Sequence, residues 1–348
     1  MKKVLLAMSG GVDSSVSALL LQKQGFSLIG AHLRLIPGKN DDERRARLVA
    51  GKLGIKFYPL NLSQKFQQEV IDYFIESYGC GLTPNPCVRC NHLIKFGELL
   101  RVADELGADY LASGHYAQIK KEGDRYHLHR ASDKNKDQSY FLYNLAQDRL
   151  GRILFPLGGH QKTEIRKMAE ENGLPSAKSE SQDICFMHQD GKIIEHNDFL
   201  KQYIKDKPGL ILDSAGKRLG EHRGLHLYTR GQRKGIEIGG TGPYYAIKMD
   251  FAKNILYVSS DRNDCGLMSQ VFLVKSVNWI SGVFSGEMDC EVQVRYQHKA
   301  VPCRISRLDE GKYQVELAEP ERALACGQSA VFYRADEVLG GGVICGFE

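Results

Sequence analysis

The stretch Ser9-Gly10-Gly11-Val12-Asp13-Ser14-Ser15 has the residue types of a phosphate cradle. Gly10 and Gly11 let the backbone approach a ligand and take positive φ, and Ser9, Ser14 and Ser15 add hydroxyl donors. No lysine follows the glycines, so the loop departs from the GxxxxGK[ST] pattern, in which a lysine reaches the β and γ phosphates. Thiols supply the second chemistry. Cys87 and Cys90 follow Pro84-Asn85-Pro86, and Pro86 suits the first position of a helix, which puts both sulfurs on one face of its first turn. The helix dipole favours thiolate there and is expected to lower a cysteine pKa from its usual value of about 8.5. Cys185, flanked by Ile184 and Phe186, reads on its own as a small buried residue, and His115 in Ser113-Gly114-His115-Tyr116 as a structural histidine.

These groups need a scaffold that gathers them. Residues 4–8 are an apolar run suited to a buried parallel strand, and Val16, Leu19, Leu20 and Lys23 follow at helical spacing. The phosphate loop therefore sits where unpaired backbone N–H groups carry about half a positive charge through the helix dipole. Strand-like runs recur at 27–35, 55–60 and 110–112, with helical patterns at 43–53, 70–78 and 94–106. This alternation predicts an α/β class with a doubly wound parallel sheet, whose ligands lie at the carboxyl ends of its strands. The 9–15 loop, His32-Leu33 and the 113–116 segment all fall at such ends. Further on, residues 118–121 and 125–130 alternate as a hairpin, 136–145 reads as a helix, and 164–171 reads as another that closes at Gly173.

With 348 residues, the chain has room for two or three domains. No apolar run approaches the roughly 20 residues needed to span a bilayer. Met1-Lys2-Lys3 leads to only five apolar residues, too few for a signal peptide, so no membrane partner and a cytoplasmic location are expected. Nine cysteines without a secretion signal point to thiol chemistry or metal binding rather than a disulfide framework. Residues 271–348 hold 8 Lys and Arg against 11 Asp and Glu, whereas the first 270 hold 39 against 31, so a polyanion is expected mainly against the first two thirds. The texture changes at Lys207-Pro208-Gly209 to short strands with frequent glycine. There Lys217, Arg218, Arg223, Arg230, Arg233 and Lys234 face one acid, Glu221, a composition suited to phosphate-backbone contacts. From residue 271 onward the pattern is short strands alone, as in a small barrel or sandwich. The expected domains are 1–207, 208–269 and 270–348.

Taken in order, several motifs resemble the tRNA-specific 2-thiouridylase family, within the ATP pyrophosphatase (PP-loop) group that carries an SGGxDS loop. They are the 9–15 loop, Thr83-Pro84-Asn85-Pro86-Cys87-Val88-Arg89-Cys90-Asn91, Ile94-Lys95-Phe96, Gly114-His115-Tyr116-Ala117, Lys136-Asp137-Gln138-Ser139-Tyr140 and Ser181-Gln182-Asp183-Ile184-Cys185-Phe186. Arg230-Gly231-Gln232-Arg233-Lys234-Gly235 and Gly327-Gln328-Ser329-Ala330-Val331 extend the match through the later segments. The resemblance implies an adenine nucleotide alpha hydrolase-like N-terminal domain, a small mainly-β central domain that binds tRNA, and a C-terminal β-barrel. It implies that ATP with Mg²⁺ adenylates C2 of the wobble uridine in tRNAs for Lys, Glu and Gln, after which a persulfide, delivered by a sulfur-relay protein, supplies sulfur. By motif match, Ala7, Met8, Ser9, Gly10, Gly11, Val12, Asp13, Ser14, Leu33 and Gly114 line the ATP site, and Asn85, Pro86 and Cys87 face the target base. His115, Lys136, Asp137, Gln138, Arg295, Tyr296 and Gln328 meet the tRNA, Cys185 carries the persulfide, and Cys90 completes transfer by closing a Cys90–Cys185 disulfide. The base must be flipped out, because a stacked base does not expose C2 to a protein site.

Where Cys87 stands, many relatives carry an aspartate cast as a proton acceptor, so that role does not transfer. Cys87 is then a supporting thiol, or joins Cys90 and Cys185 on a [4Fe–4S] cluster whose open iron holds sulfide, or Cys80 completes a zinc site with them. The 36–42 loop is shorter than in many relatives, and contacts made there are not carried over. Two rival readings use the same loop. An ATP-dependent amidating ligase would not need the cysteines, and a nucleotide-gated RNA-binding module would not release pyrophosphate.

Overall fold

The computed structural model describes residues 1–38, 41–174, 184–189, 192–236, 238–239, 242–282, 284, 286–308 and 311–347. Its first sheet holds β1 (Lys3–Ala7), β2 (Ser27–Arg34), β3 (Lys56–Asn61) and β4 (Tyr110–Ala112), and a later short strand joins its edge. The hairpin β5 (Gln118–Glu122) and β6 (Arg125–His129) precedes that edge strand, β7 (Ile153–Leu154). The order is β3-β2-β1-β4-β7, with every pairing parallel. Period-two alternation sends successive β1 side chains to opposite faces. Val4 and Leu6 pack on one side with Val16, Val49 and Ile165, and Leu5 packs on the other with Leu99, Val102 and Ala103. Helices thus cover both faces: α1 (Val12–Lys23), α2 (Asp41–Lys52) and, further along, Ile165's helix on the first, and the segment around Leu99 on the second.

The helix expected at 70–78 is longer than its periodicity suggests. It runs as α3 (Ser63–Phe66), a π turn over Gln67–Asp72, and α4 (Tyr73–Gly79). The thiol helix is α5 (Pro86–Cys90), continued by a π turn over Asn91–Glu98 into α6 (Leu99–Glu105). Pro86 takes the first helical position, and the Asn85 side chain accepts the Val88 N–H at 3.3 Å, capping the helix. Two short helices follow in chain order, α7 (Gln147–Leu150) and α8 (Lys162–Glu171).

No helix forms over 136–145. A single 3₁₀ turn occupies Ser139–Phe141 because side chains compete for the backbone groups a helix would use. The Asp137 carboxylate accepts from the Ala131 and Ser139 amides at 2.9 and 3.2 Å and from Ser139 Oγ at 2.8 Å. Tyr140 and Tyr143 are buried, and both reach Ser329, far along the chain.

A short hairpin, β8 (His188–Gln189) with β9 (Lys192–Ile193), leads to α9 (His196–Leu200). A four-stranded sheet follows in the order β11-β10-β13-β12, built from β10 (Gly209–Asp213), β11 (Arg218–His222), β12 (Tyr245–Asp250) and β13 (Ile255–Ser259). The last segment holds β14 (Met268–Trp279), β15 (Glu287–Gln293), β16 (Val301–Arg307), β17 (Tyr313–Arg322), β18 (Ser329–Arg334) and β19 (Glu337–Phe347). These six antiparallel strands close on themselves through a β14–β19 pairing, which removes free sheet edges. The β5–β6 hairpin, early in sequence, pairs with β19 through His129 and Leu128, so the first segment and the barrel share one hydrogen-bonded sheet. Among the described residues, no helix is long and apolar enough to cross a membrane.

Candidate active site

In this sheet order the chain leaves β1 in one direction for β2 and returns to its other side for β4, so the carboxyl ends of β1 and β4 flank a switch point. Gly114, at the end of β4, allows this approach: a Cβ there would stand 3.0 Å from the Ser14 amide. Within the loop, the Ser9 N–H donates to Ser14 Oγ at 3.2 Å, and the Ser15 hydroxyl donates to the Gly11 carbonyl at 2.8 Å. The loop is thereby shaped before any ligand binds, with the open N–H groups of α1 above it.

The tertiary structure supplies the lysine that the loop lacks. Lys162, at the first position of α8, is buried and places Nζ 2.6 and 2.8 Å from the two Asp13 carboxylate oxygens, while the Tyr116 hydroxyl donates to Asp13 at 2.7 Å. The sequence reading missed this residue. Its one signal was a cation at the positive end of a helix dipole, an unfavourable place that calls for an anionic partner.

A cavity of about 580 Å³ joins this loop to the thiols. Ala7, Met8, Ser9, Gly11, Val12, Asp13, Ser14, Leu33 and Gly114 line one part, and Pro86, Cys87, Cys90 and Cys185 line another. Cys185 is exposed rather than buried, while its neighbour Phe186 enters the core with Phe66, Phe74 and Phe199. The 181–183 part of its motif lies outside the described residues. The expected dipole effect on the other two thiols is overruled by burial. Burial pushes Cys87 up to about 11 and Cys90 up to about 12, with only partial relief from the positive charge of Lys95, which the π turn brings to the same cavity wall. Among the described residues no three His, Cys, Asp or Glu side chains stand close enough to hold one metal ion, and Cys80 is exposed and outside the cavity lining.

His115, Lys136, Gln138 and Tyr296 also line the cavity. His115 is buried with Nδ1 2.8 Å from Ser113 Oγ, and burial holds its pKa well below the usual histidine range, so it is neutral near pH 7. Gln138 is fixed by the Tyr116 amide, which donates to its side chain at 3.0 Å.

Five residues expected at the site are not brought to this cavity. Gly10, at φ +79°, faces α2: a Cβ there would run into the Asp42 carbonyl and stand 2.8 Å from the Ala46 nitrogen. Asn85 is spent as a helix cap and Asp137 on its own loop. Arg295 and Gln328 line a smaller pocket of about 210 Å³ beside Thr229 and Arg230. Arg230 itself is no mobile phosphate contact. Its buried guanidinium donates to the Leu324 and Gly266 carbonyls at 3.1 and 2.8 Å and to Ser269 Oγ at 3.2 Å, and lies over the Phe347 ring.

The chain matches three family models in succession. They are described as the tRNA methyl transferase HUP domain over residues 2–189, the tRNA methyl transferase PRC-barrel domain over 197–260, and the aminomethyltransferase beta-barrel domain over 269–344. The tRNA-specific 2-thiouridylase MnmA of Chloroflexus aurantiacus is 45% identical, with 99% of this chain and 98% of that protein covered. The protein of the same description from Idiomarina loihiensis is 41% identical, with 99% and 96% covered. A more distant solved structure, the U34-tRNA thiolase NcsA from Methanococcus maripaludis with its [4Fe-4S] cluster, is 22% identical at a TM-score of 0.37 and covers 53% of this chain and 62% of that one.

Proposed function

The chain belongs to the tRNA-specific 2-thiouridylase family over nearly its whole length, and from that premise we propose that it replaces O2 of the wobble uridine of tRNA by sulfur at the expense of ATP. One observation carries the reading: the phosphate loop and the three thiols Cys87, Cys90 and Cys185 share one cavity. The family models are described by methyl transfer, the curated relatives by thiolation, and a phosphate loop opening onto thiols is what the second chemistry requires.

A urea-like carbonyl oxygen leaves poorly. Attack of O2 on the α phosphorus of ATP expels pyrophosphate and turns the oxygen into part of AMP, a good leaving group. The N–H groups at the start of α1 and the Lys162 ammonium stabilise the pyrophosphate charge as it develops. Magnesium fits this wall, because the ion takes one or two carboxylates plus phosphate oxygens, and Asp13 and Asp42 both line the cavity. When bound, it would neutralise the triphosphate.

A persulfide on exposed Cys185 is accessible to a sulfur-relay donor. Its terminal sulfur attacks C2 and displaces AMP, leaving C2 joined to Cys185 through a disulfide. Cys90 then attacks Cys185 Sγ, a Cys90–Cys185 disulfide forms, and the bond to the transferred sulfur breaks with its electron pair left on 2-thiouridine. This sequence of steps uses Cys90 and Cys185 alone and routes nothing through iron. Cys87 acts as a neighbouring thiol that keeps the pocket apolar and small.

The tRNAs for Lys, Glu and Gln are the substrates in this reading, and the cytoplasm is its location. The division at residues 207 and 269 separates the ATP-binding segment, a central segment and the barrel. Tyr296 meets the flipped base or its neighbours, and the Arg295–Gln328 pocket takes tRNA backbone. The test is mass analysis of tRNA nucleosides after incubation with ATP, Mg²⁺ and a persulfide donor. 2-Thiouridine should appear, and Cys90→Ser should release pyrophosphate in the presence of tRNA but form no 2-thiouridine. If wild type forms no 2-thiouridine while Cys90→Ser and Cys185→Ser both keep ammonia-dependent pyrophosphate release, the amidating-ligase reading gains and this one is lost.

A further inference from the structure

Two cysteines play no part in that chemistry and stand opposite each other in the barrel wall. Cys290 in β15 and Cys303 in β16 are direct cross-strand partners, and their sulfurs are 3.6 Å apart. Both side chains belong to the barrel's interior cluster with Met288, Val292 and Ile305, but Cys290 is only half-buried while Cys303 is buried. Directly opposed residues on antiparallel strands have the spacing a disulfide spans, so a small rotation of the side chains, without backbone movement, suffices to join them. We propose that Cys290 and Cys303 form a thiol–disulfide exchange site, separate from the cavity, that reacts with low-molecular-weight disulfides: Cys290 attacks and Cys303 resolves.

The order follows from the two environments. Cys290 is half-buried and reachable from solvent, whereas Cys303 is buried, and its contact with Cys290 and its burial hold the Cys303 proton in place, so Cys290 is the accessible nucleophile. The Cys290 thiolate attacks one sulfur of glutathione disulfide, a mixed disulfide forms, and one glutathione thiolate leaves. Cys303 then attacks Cys290 Sγ, the Cys290–Cys303 bond forms, and the second glutathione leaves with the Cys303 proton. Two protein thiols are oxidised and one disulfide is reduced to two thiols.

The location gives the modification a structural consequence. Only the pairs Glu291–Pro302 and Val292–Val301 separate these sulfurs from the end of the β15–β16 ladder, beyond which the chain turns through Arg295 and Tyr296. A bond at this point fastens the base of the hairpin that carries Tyr296 to the cavity and Arg295 to the second pocket.

The full chain, equilibrated with glutathione disulfide and digested without reduction, should yield a linked pair of tryptic peptides, 276–295 and 300–304, lighter than their sum by two hydrogens. Cys303→Ser should trap glutathione on Cys290, whereas Cys290→Ser should lower modification at Cys303 by at least about tenfold, because a buried protonated thiol reacts slowly. The readout is the peptide bond pattern, so thiolation activity does not enter. The proposal is overturned if exposed Cys80 and Cys265 take up glutathione while wild type shows no linked peptide, or if the two serine variants are modified equally.

Discussion

At Cys90, burial raises the thiol to about 12 and Lys95 pulls in the opposite direction, so the free enzyme holds its nucleophile mostly protonated. Alkylation of Cys90 by iodoacetamide in the absence of tRNA should therefore accelerate about tenfold per pH unit from pH 7 to 9. A rate that levels off near pH 8 would contradict this. Lys95→Met should slow the same reaction at fixed pH, since it removes a cation close to the sulfur. At the opposite wall, Lys162→Ala removes the ammonium held by Asp13 of the phosphate loop. Steady-state kinetics should show kcat/KM for ATP falling by about 10²-fold, with Cys90 alkylation unchanged.

At the scale of elements, the seating of α2 rests on a glycine of the phosphate loop and on an ion cluster with β2. Gly10→Ala combines a positive φ with a clash against the α2 backbone and should cost about 1–3 kcal/mol, read as a fall in melting temperature. Gly25→Ala, at a similar φ but with open space around it, should cost only the backbone share of about 1–2 kcal/mol. Glu43 on α2 is held by Arg34 and Arg47, whose hydrogen bonds depress its pKa from 4.5 to about 2. A carboxylate with a depressed folded-state pKa stabilises the fold above its unfolded value and loses that contribution as pH falls. Acid titration followed by circular dichroism should show wild type losing stability between about 4.5 and about 2, and Glu43→Gln should be less stable at neutral pH with a weaker acid transition.

Across the whole molecule, Arg230 shows how a basic residue can serve assembly. Hydrogen bonds to Leu324 and Ser269 and the Phe347 ring tie the segment after β11 to the barrel, and a third bond holds Gly266 just before it. Arg230→Ala leaves buried carbonyls without donors and should lower stability by about 2–4 kcal/mol in denaturant unfolding. The shared β19–β6 pairing couples the barrel to the first segment in the same way. Separately, Tyr140 and Tyr143 tie Ser329 of β18 to the loop that carries Gln138 at the cavity.

The parallel sheet, the phosphate loop at its carboxyl edge and the helix start at Pro86 that carries Cys87 and Cys90 were legible in the sequence, because each depends on local periodicity or on turn and proline residues close together in the chain. So was the all-strand texture after residue 271. The length of the helix before Gly79 and the absence of one at 136–145 were not legible, since Asp137 reaches backward to Ala131 and the two tyrosines pack against strands nearly two hundred residues away. Only the tertiary structure decided the electrostatics of the site. A dipole is a property of one helix and can be read from one, whereas the burial that reverses its effect on Cys90, the arrival of Lys162 at Asp13 and the inward turn of Arg230 are set by segments distant in sequence, whose packing no local pattern encodes.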